Sequence, residues 1–98
     1  MKFARSVHFQ IRNGKEDEFS KLFEKDVLPM LREQSGFKQE ITLHDGNRAL
    51  GISLWKDRVS ADAYATKTYP RILEKLMPVI EGTPRVENYT VGMTTLAA

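Results

Sequence analysis

The sequence predicts an α+β domain of the ferredoxin-like βαββαβ type: a four-stranded antiparallel sheet with its helices on one face. Three observations carry this. Four stretches alternate apolar and polar residues with period two, two stretches between them repeat their apolar residues at helical spacing, and Asp45-Gly46-Asn47-Arg48 joins the middle strands as a hairpin turn. Two helical crossovers around a central hairpin leave this topology as the right-handed solution.

Phe3 to Ile11 reads as the first strand, with Phe3, Val7, Phe9 and Ile11 on one side and Ala4, Ser6, His8 and Gln10 on the other. Arg12-Asn13-Gly14 breaks it. Asn13, with Glu16 three residues on, is expected to cap a helix whose first turn holds Glu16, Asp17 and Glu18. Phe19, Leu22, Phe23, Val27, Met30 and Leu31 trace its apolar stripe. Pro29 lies inside that stripe and predicts a kink near residues 25–28, and Gly36 supplies a left-handed end.

Phe37, Ile41 and Leu43 alternate with Lys38, Glu40, Thr42 and His44 in the second strand; Ala49 to Trp55 form the third. A two-residue Gly46-Asn47 loop sets Asp45 against Arg48, His44 against Ala49 and Thr42 against Gly51. That register puts Phe37, Ile41, Leu43, Leu50, Ile52 and Leu54 on one face, with Thr42, His44, Gly51, Ser53 and Trp55 on the other. Ser60 is expected to cap the next helix, with a Val59–Tyr64 staple. Tyr69-Pro70 interrupts that helix and restarts it, because a residue before proline avoids helical geometry while proline suits a first helical turn. Ile72, Leu73, Leu76, Met77 and Ile80 stripe the renewed segment, Pro78 and Gly82 close it, and a last strand is expected at about Arg85 to Thr95.

The whole chain, residues 1–98, reads as a single domain. Hydrophobic residues at 41% and charged residues at 29% exclude a disordered chain, and no apolar run approaches the roughly 20 residues of a membrane helix. The chain starts directly into strand pattern without a signal-like apolar block, so a cytoplasmic location is expected. With no cysteine, disulfides, thiolate nucleophiles and Cys-ligated metals are excluded. Fifteen Lys and Arg against thirteen Asp and Glu are interspersed, and the Lys67, Arg71 and Lys75 row reads as a solvated helix face, so no nucleic-acid partner and no membrane partner are expected. Hydrolase triads, HExxH, P-loop and dinucleotide fingerprints are missing, and two histidines on separate strands make no metal site.

The strand leading to Asn13-Gly14, the helix with Phe19, Leu22 and Phe23, the Gly36-Phe37 helix end, and the hairpin closing on Leu54-Trp55-Lys56-Asp57 before Ser60-Ala61 together resemble the antibiotic-biosynthesis-monooxygenase-like family of dimeric α+β barrels. The resemblance spans nearly the whole chain and rests on the order and spacing of these elements. It implies a homodimer whose two sheets pack face to face, with a cavity between sheet and helices in each copy. Alternation alone leaves open whether His8 or Val7 and Phe9 face that cavity; aligning Gly14 and Trp55 on the family pattern implies Val7 and Phe9. Haem-degrading members carry an Asn on strand one and a His in the helix after the Trp; Val7 and Ala65 stand there, so haem degradation is not expected. Polyketide oxygenases carry an Asn four residues before the Trp, where this chain has Gly51.

Thr42, His44, Ser53, Trp55, Tyr64 and Tyr69 are the candidate pocket residues: a polar notch beside the only tryptophan, rimmed by two tyrosines at the helix break. Such a notch suits a phenolic or enolic ligand, since it offers apolar walls and a few polar groups that favour an anion. Core packing is the competing reading for the tyrosines, and core filler for Met30, Met77 and Met93. Two function classes stay open. One is a cofactor-independent monooxygenase acting on a small aromatic or quinol-like substrate, with no cofactor and no metal. The other is a non-catalytic, dimeric small-molecule-binding or stress-related barrel.

Overall fold

The computed structural model describes residues 2–96. Its elements are β1 (Phe3–Ile11), α1 (Glu16–Leu22), a π-type turn (Phe23–Val27), α2 (Leu28–Arg32), β2 (Phe37–Asp45), β3 (Arg48–Trp55), α3 (Arg58–Lys67), α4 (Tyr69–Leu76), a short 3-10 turn (Met77–Val79) and β4 (Ile80–Thr90). The strands lie in the order β2-β3-β1-β4, with every neighbouring pair antiparallel. Each helical connection therefore steps over one strand, which is the ferredoxin-like arrangement expected from the pattern.

Alternation in β1 sorts the two faces. Phe3, Val7, Phe9 and Ile11 are buried under the helices, joined by Ala49 and Trp55 of β3. Phe19, Phe23, Val27 and Leu31 press on them from the first helical arm, and Ala61, Tyr64, Tyr69, Ile72 and Leu76 from the second. Val7 and Phe9, not His8, thus face the helices, which settles the question that alternation left open. His8 lies on the opposite face, paired across β1 and β4 with Arg85, and its Nε2 is 3.1 Å from Glu87 Oε1.

The expected kink is a wide turn. Pro29 has no N–H to return to the Lys25 carbonyl, and the chain absorbs the loss just upstream, where the Leu28 N–H donates to the Phe23 carbonyl five residues back. From Gln39 to Asp45 the hairpin register is that of a two-residue loop. Gly36 is left-handed at φ 81°, and a Cβ there would sit 2.3 Å from Ser60 Oγ, so both backbone and packing require glycine.

Five local expectations are corrected. Phe37 lies on the Trp55 side, because Lys38 is an extra residue in β2: Phe37 pairs with Trp55 and Gln39 with Leu54, and the bulge reverses the parity. The Phe37 ring meets Trp55 edge-on at 5.5 Å. Asp57, not Ser60, caps α3: its carboxylate accepts from the Ser60 N–H at 2.9 Å, which also pulls its pKa below the usual carboxylate value. Val59 is 77% exposed and staples nothing. Asn13 does not cap α1, which begins at Glu16; its side-chain oxygen instead accepts from Asn47 Nδ2 across the two turns at 3.3 Å. Finally, β4 starts at Ile80 and ends at Thr90, five residues earlier at each end than expected. Gly82, Thr83 and Pro84 form a bulge opposite Phe9, with Gly82 at φ 67°. An edge strand tolerates both the bulge and the proline.

The second sheet face is uncovered. Leu50, Ile52 and Leu54 lie on it half-buried, beside the exposed Ile41, Leu43 and Tyr89. No helix among the described residues is long and apolar enough to cross a membrane.

Candidate functional site

The same alternation that buries Phe3 and Val7 carries the residue between them inward. Arg5 is only 5% exposed, and its guanidinium lies over the face of the Tyr69 ring, 4.0 Å from the centroid, and 5.5 Å from that of Tyr64. Contacts of this kind contribute on the order of 2 kcal/mol when desolvated. They do not neutralise the charge: among the described residues no ion pair includes Arg5.

Glu40 approaches from β2. It shares the parity of Thr42 and His44, so it projects on the helix side, and its carboxylate folds back over β3 at Gly51. A Cβ on Gly51 would lie 2.9 Å from Glu40 Oε2; glycine leaves the room that the carboxylate occupies. Burial pushes the Glu40 pKa up from 4.5 to about 8, against the pull of the Arg5 cation. A carboxyl with that proton affinity is largely protonated at neutral pH and poised for proton transfer.

Arg5, Glu40, Gly51, Ser53, Tyr64 and Tyr69 surround a small, partly enclosed cavity of about 20 Å³ with apolar walls from Phe9, Phe23 and Val27. The Tyr69 hydroxyl is buried and no hydrogen bond of good geometry reaches it among the described residues; the Arg5 guanidinium over the ring face is near enough to oppose the rise in its pKa. Burial raises the pKa of both tyrosines, again against Arg5, so both hydroxyls stay protonated. On the far side of Glu40, an open groove of about 420 Å³ runs between the edge of β2 and the first helical arm. Ser20, Glu24, Leu28, Arg32, Thr42 and His44 line it. Glu40 and Phe23 line both spaces and so form the partition between them.

The six candidates from the sequence divide between these places. Ser53, Tyr64 and Tyr69 line the inner cavity, while Thr42 and His44 line the outer groove. Trp55 lines neither. It is 0% exposed, packed 4.8 Å from Tyr64, and its Nε1–H donates to Ser53 Oγ at 2.8 Å. Ser53 in turn donates to the Arg5 carbonyl at 3.4 Å, so Trp55 holds the cavity floor from below instead of walling it. Arg5 and Glu40 were not among the candidates. Their signal was present as two charged residues at inward parity, one in an otherwise apolar row and one in line with Thr42 and His44. A larger hollow of about 500 Å³ lies at the hairpin end of the uncovered sheet face, by His8, Gln10, Leu50 and Arg85. It shares Phe9 with the inner cavity and His44 with the groove, but Arg5, Glu40, Tyr64 and Tyr69 do not line it. Among the described residues no three His, Asp or Glu side chains gather to hold a metal ion.

No protein-family profile and no curated protein matches the chain. Solved structures do. SnoaB, a cofactor-independent oxygenase from Streptomyces nogalater, superposes with a TM-score of 0.79 at 16% identity over 96% of each chain. The NE2512 protein of unknown function from Nitrosomonas europaea gives 0.83 at 19% identity, over 99% of this chain and 95% of that one. The ActVA-Orf6 monooxygenase of Streptomyces coelicolor, solved with the ligand nanaomycin D, gives 0.76 at 19% identity, over 98% and 92%. At these identities the likeness is one of fold: the chain shares the fold of these structures, as the order and spacing of its elements implied.

Proposed function

We propose that this protein is a cofactor-independent monooxygenase that oxidises a small aromatic or quinol-like substrate bound in the outer groove against Glu40. One observation carries the reading: a carboxyl of raised proton affinity stands between a ligand-sized groove and a buried cavity that holds an uncompensated cation. The fold shared with SnoaB and ActVA-Orf6 supports it.

The chemistry asks little of the protein beyond moving protons and favouring negative charge. Glu40, in its carboxylate form, takes a proton from the substrate and leaves an electron-rich anion. That anion gives one electron to dioxygen, and the two radicals combine into a carbon-bound peroxide. Glu40 returns the proton, and loss of water leaves a carbonyl. One methylene, or an aromatic C–H in its keto tautomer, and one dioxygen thus become one carbonyl and one water. Arg5 favours each anionic stage from within a low-dielectric surround. Oxygen uptake by the purified, chelator-treated protein with a panel of quinols, naphthols and anthrones tests this. Uptake with at least one class, lost in Glu40→Gln, is expected; uptake equal in the variant would overturn the role of Glu40.

A second reading has its own observation. Trp55 and the two tyrosines are buried under the sheet, and the inner cavity beside them holds only about 20 Å³. A small-molecule-binding barrel without turnover fits that packing, and would show saturable binding of the same aromatic panel with no oxygen uptake. In either reading a second copy is proposed to cover the face with Leu50, Ile52 and Leu54, since a contiguous apolar band of this kind favours a partner.

A further inference from the structure

Five polar side chains line the inner cavity, and three of them, Arg5, Glu40 and Tyr69, form no ion pair or well-aligned hydrogen bond with one another. Arg5 is a buried cation without an ion pair, the Tyr69 hydroxyl is a buried donor without an acceptor, and Glu40 reaches the space only at its outer wall. Buried donors in native proteins are nearly always satisfied, and a buried charge is nearly always compensated. The group that would satisfy both is an acceptor carrying negative charge, small enough for a cavity of about 20 Å³, which is the room of roughly one water-sized group.

We propose that the inner cavity is a binding site for a small monovalent anion, held by the Arg5 guanidinium and the Tyr69 hydroxyl. During turnover the anion is the superoxide formed when the substrate anion passes an electron to dioxygen. The second statement rests on the oxygenase reading above; the first stands without it. Glu40 and Phe23 border both spaces, so in this arrangement the reduced dioxygen forms next to the Arg5 cation and passes the Glu40 side chain to combine with the substrate radical in the groove. The charge state of the surroundings fits. Glu40, with its pKa near 8, is mostly neutral at neutral pH, and both tyrosines keep their protons, so Arg5 leaves the cavity net positive. On its groove side Glu40 is faced by Glu24, Arg32 and His44, which lie outside the cavity. Above pH 8 the Glu40 carboxylate competes with the anion for Arg5.

Bromide is the probe, because it is monovalent, of suitable size and locatable by anomalous scattering. At constant ionic strength, with a large organic anion as replacement, bromide is expected to raise the melting temperature saturably, and less so above pH 8. Crystals grown in bromide should show its anomalous peak between Arg5 and the Tyr69 hydroxyl. Tyr69→Phe removes only the hydroxyl and should weaken bromide binding roughly tenfold or more, the effect of one hydrogen bond to a charged group. Arg5→Met should abolish binding; if that variant does not fold, Tyr69→Phe decides. No bromide-specific stabilisation, or anomalous peaks only at the surface, would overturn the site. For the turnover assignment, bromide should inhibit oxygen uptake competitively against dioxygen; competition against the organic substrate instead would overturn it. A protein that binds bromide in the cavity but takes up no oxygen keeps the anion site and loses only the oxygenase reading.

Discussion

Replacing Glu40 by Gln isolates the feature on which the proposed chemistry depends. The side chain keeps its shape above Gly51 and loses its charge. In the wild type the native Glu40 holds its proton up to about pH 8, whereas in the unfolded chain it releases it near 4.5. Between those values the unfolded state binds fewer protons than the native state, so stability falls as pH rises. Stability is therefore complete below 4.5, declines across the window and levels off above 8. Each pH unit corresponds to about 1.4 kcal/mol, and the partial opening of Glu40 to the groove screens part of the effect, so the total is roughly 3–5 kcal/mol. Gln has no such decline, and Glu40→Gln is expected to become more stable than the wild type at the alkaline end of the window. Urea denaturation of both proteins across the pH range gives the comparison directly. Parallel profiles, or a variant less stable at every pH, would refute a buried carboxyl of raised pKa and remove the base from the mechanism.

Trp55→Ala should behave as deletion of a core plug, costing roughly 3–5 kcal/mol in denaturant unfolding, since the ring is fully buried and holds Ser53. A loss below about 2 kcal/mol would mean that Trp55 borders empty space. Gly51→Ala should push the Glu40 carboxylate out toward the groove, because the new methyl would stand 2.9 Å from Oε2. An NMR titration of Glu40 in that variant should show its pKa falling back toward 4.5, and an unchanged value would contradict the close approach. The wild type should sediment as a dimer at micromolar concentration and Ile52→Glu as a monomer or an unfolded chain, because it sets a charge on the proposed contact; a monomeric wild type would end the proposal of a covering copy.

The hairpin was legible because Asp45-Gly46-Asn47-Arg48 carries its own turn chemistry, and a two-residue loop sets the parity of everything paired through it. Parity then failed at Phe37, where the Lys38 bulge inserts a residue that no local propensity announces. The start of β4 was hidden for a related reason: Gly82-Thr83-Pro84 has the composition of a break, and only its place on a sheet edge makes it a bulge. In the site, Ser53, Tyr64 and Tyr69 were legible from face and spacing. Arg5 was not, since the strand was read through its apolar residues and the charged one among them is accommodated by two tyrosine rings more than fifty residues away. Glu40 had the parity of Thr42 and His44, but parity alone does not separate a solvated carboxylate from a buried one. Its burial comes from the space above Gly51 on the neighbouring strand, a tertiary fact.

The central claim is that dioxygen reacts with a substrate deprotonated at Glu40. Turnover of an accepted quinol or anthrone under isotopically labelled dioxygen, followed by mass spectrometry of the product, tests it most directly. Reaction of dioxygen with the deprotonated substrate puts one labelled oxygen in the product carbonyl and the other in water, with incorporation abolished in Glu40→Gln. Product oxygen drawn from solvent, or labelling that proceeds at the wild-type rate in the variant, would contradict it.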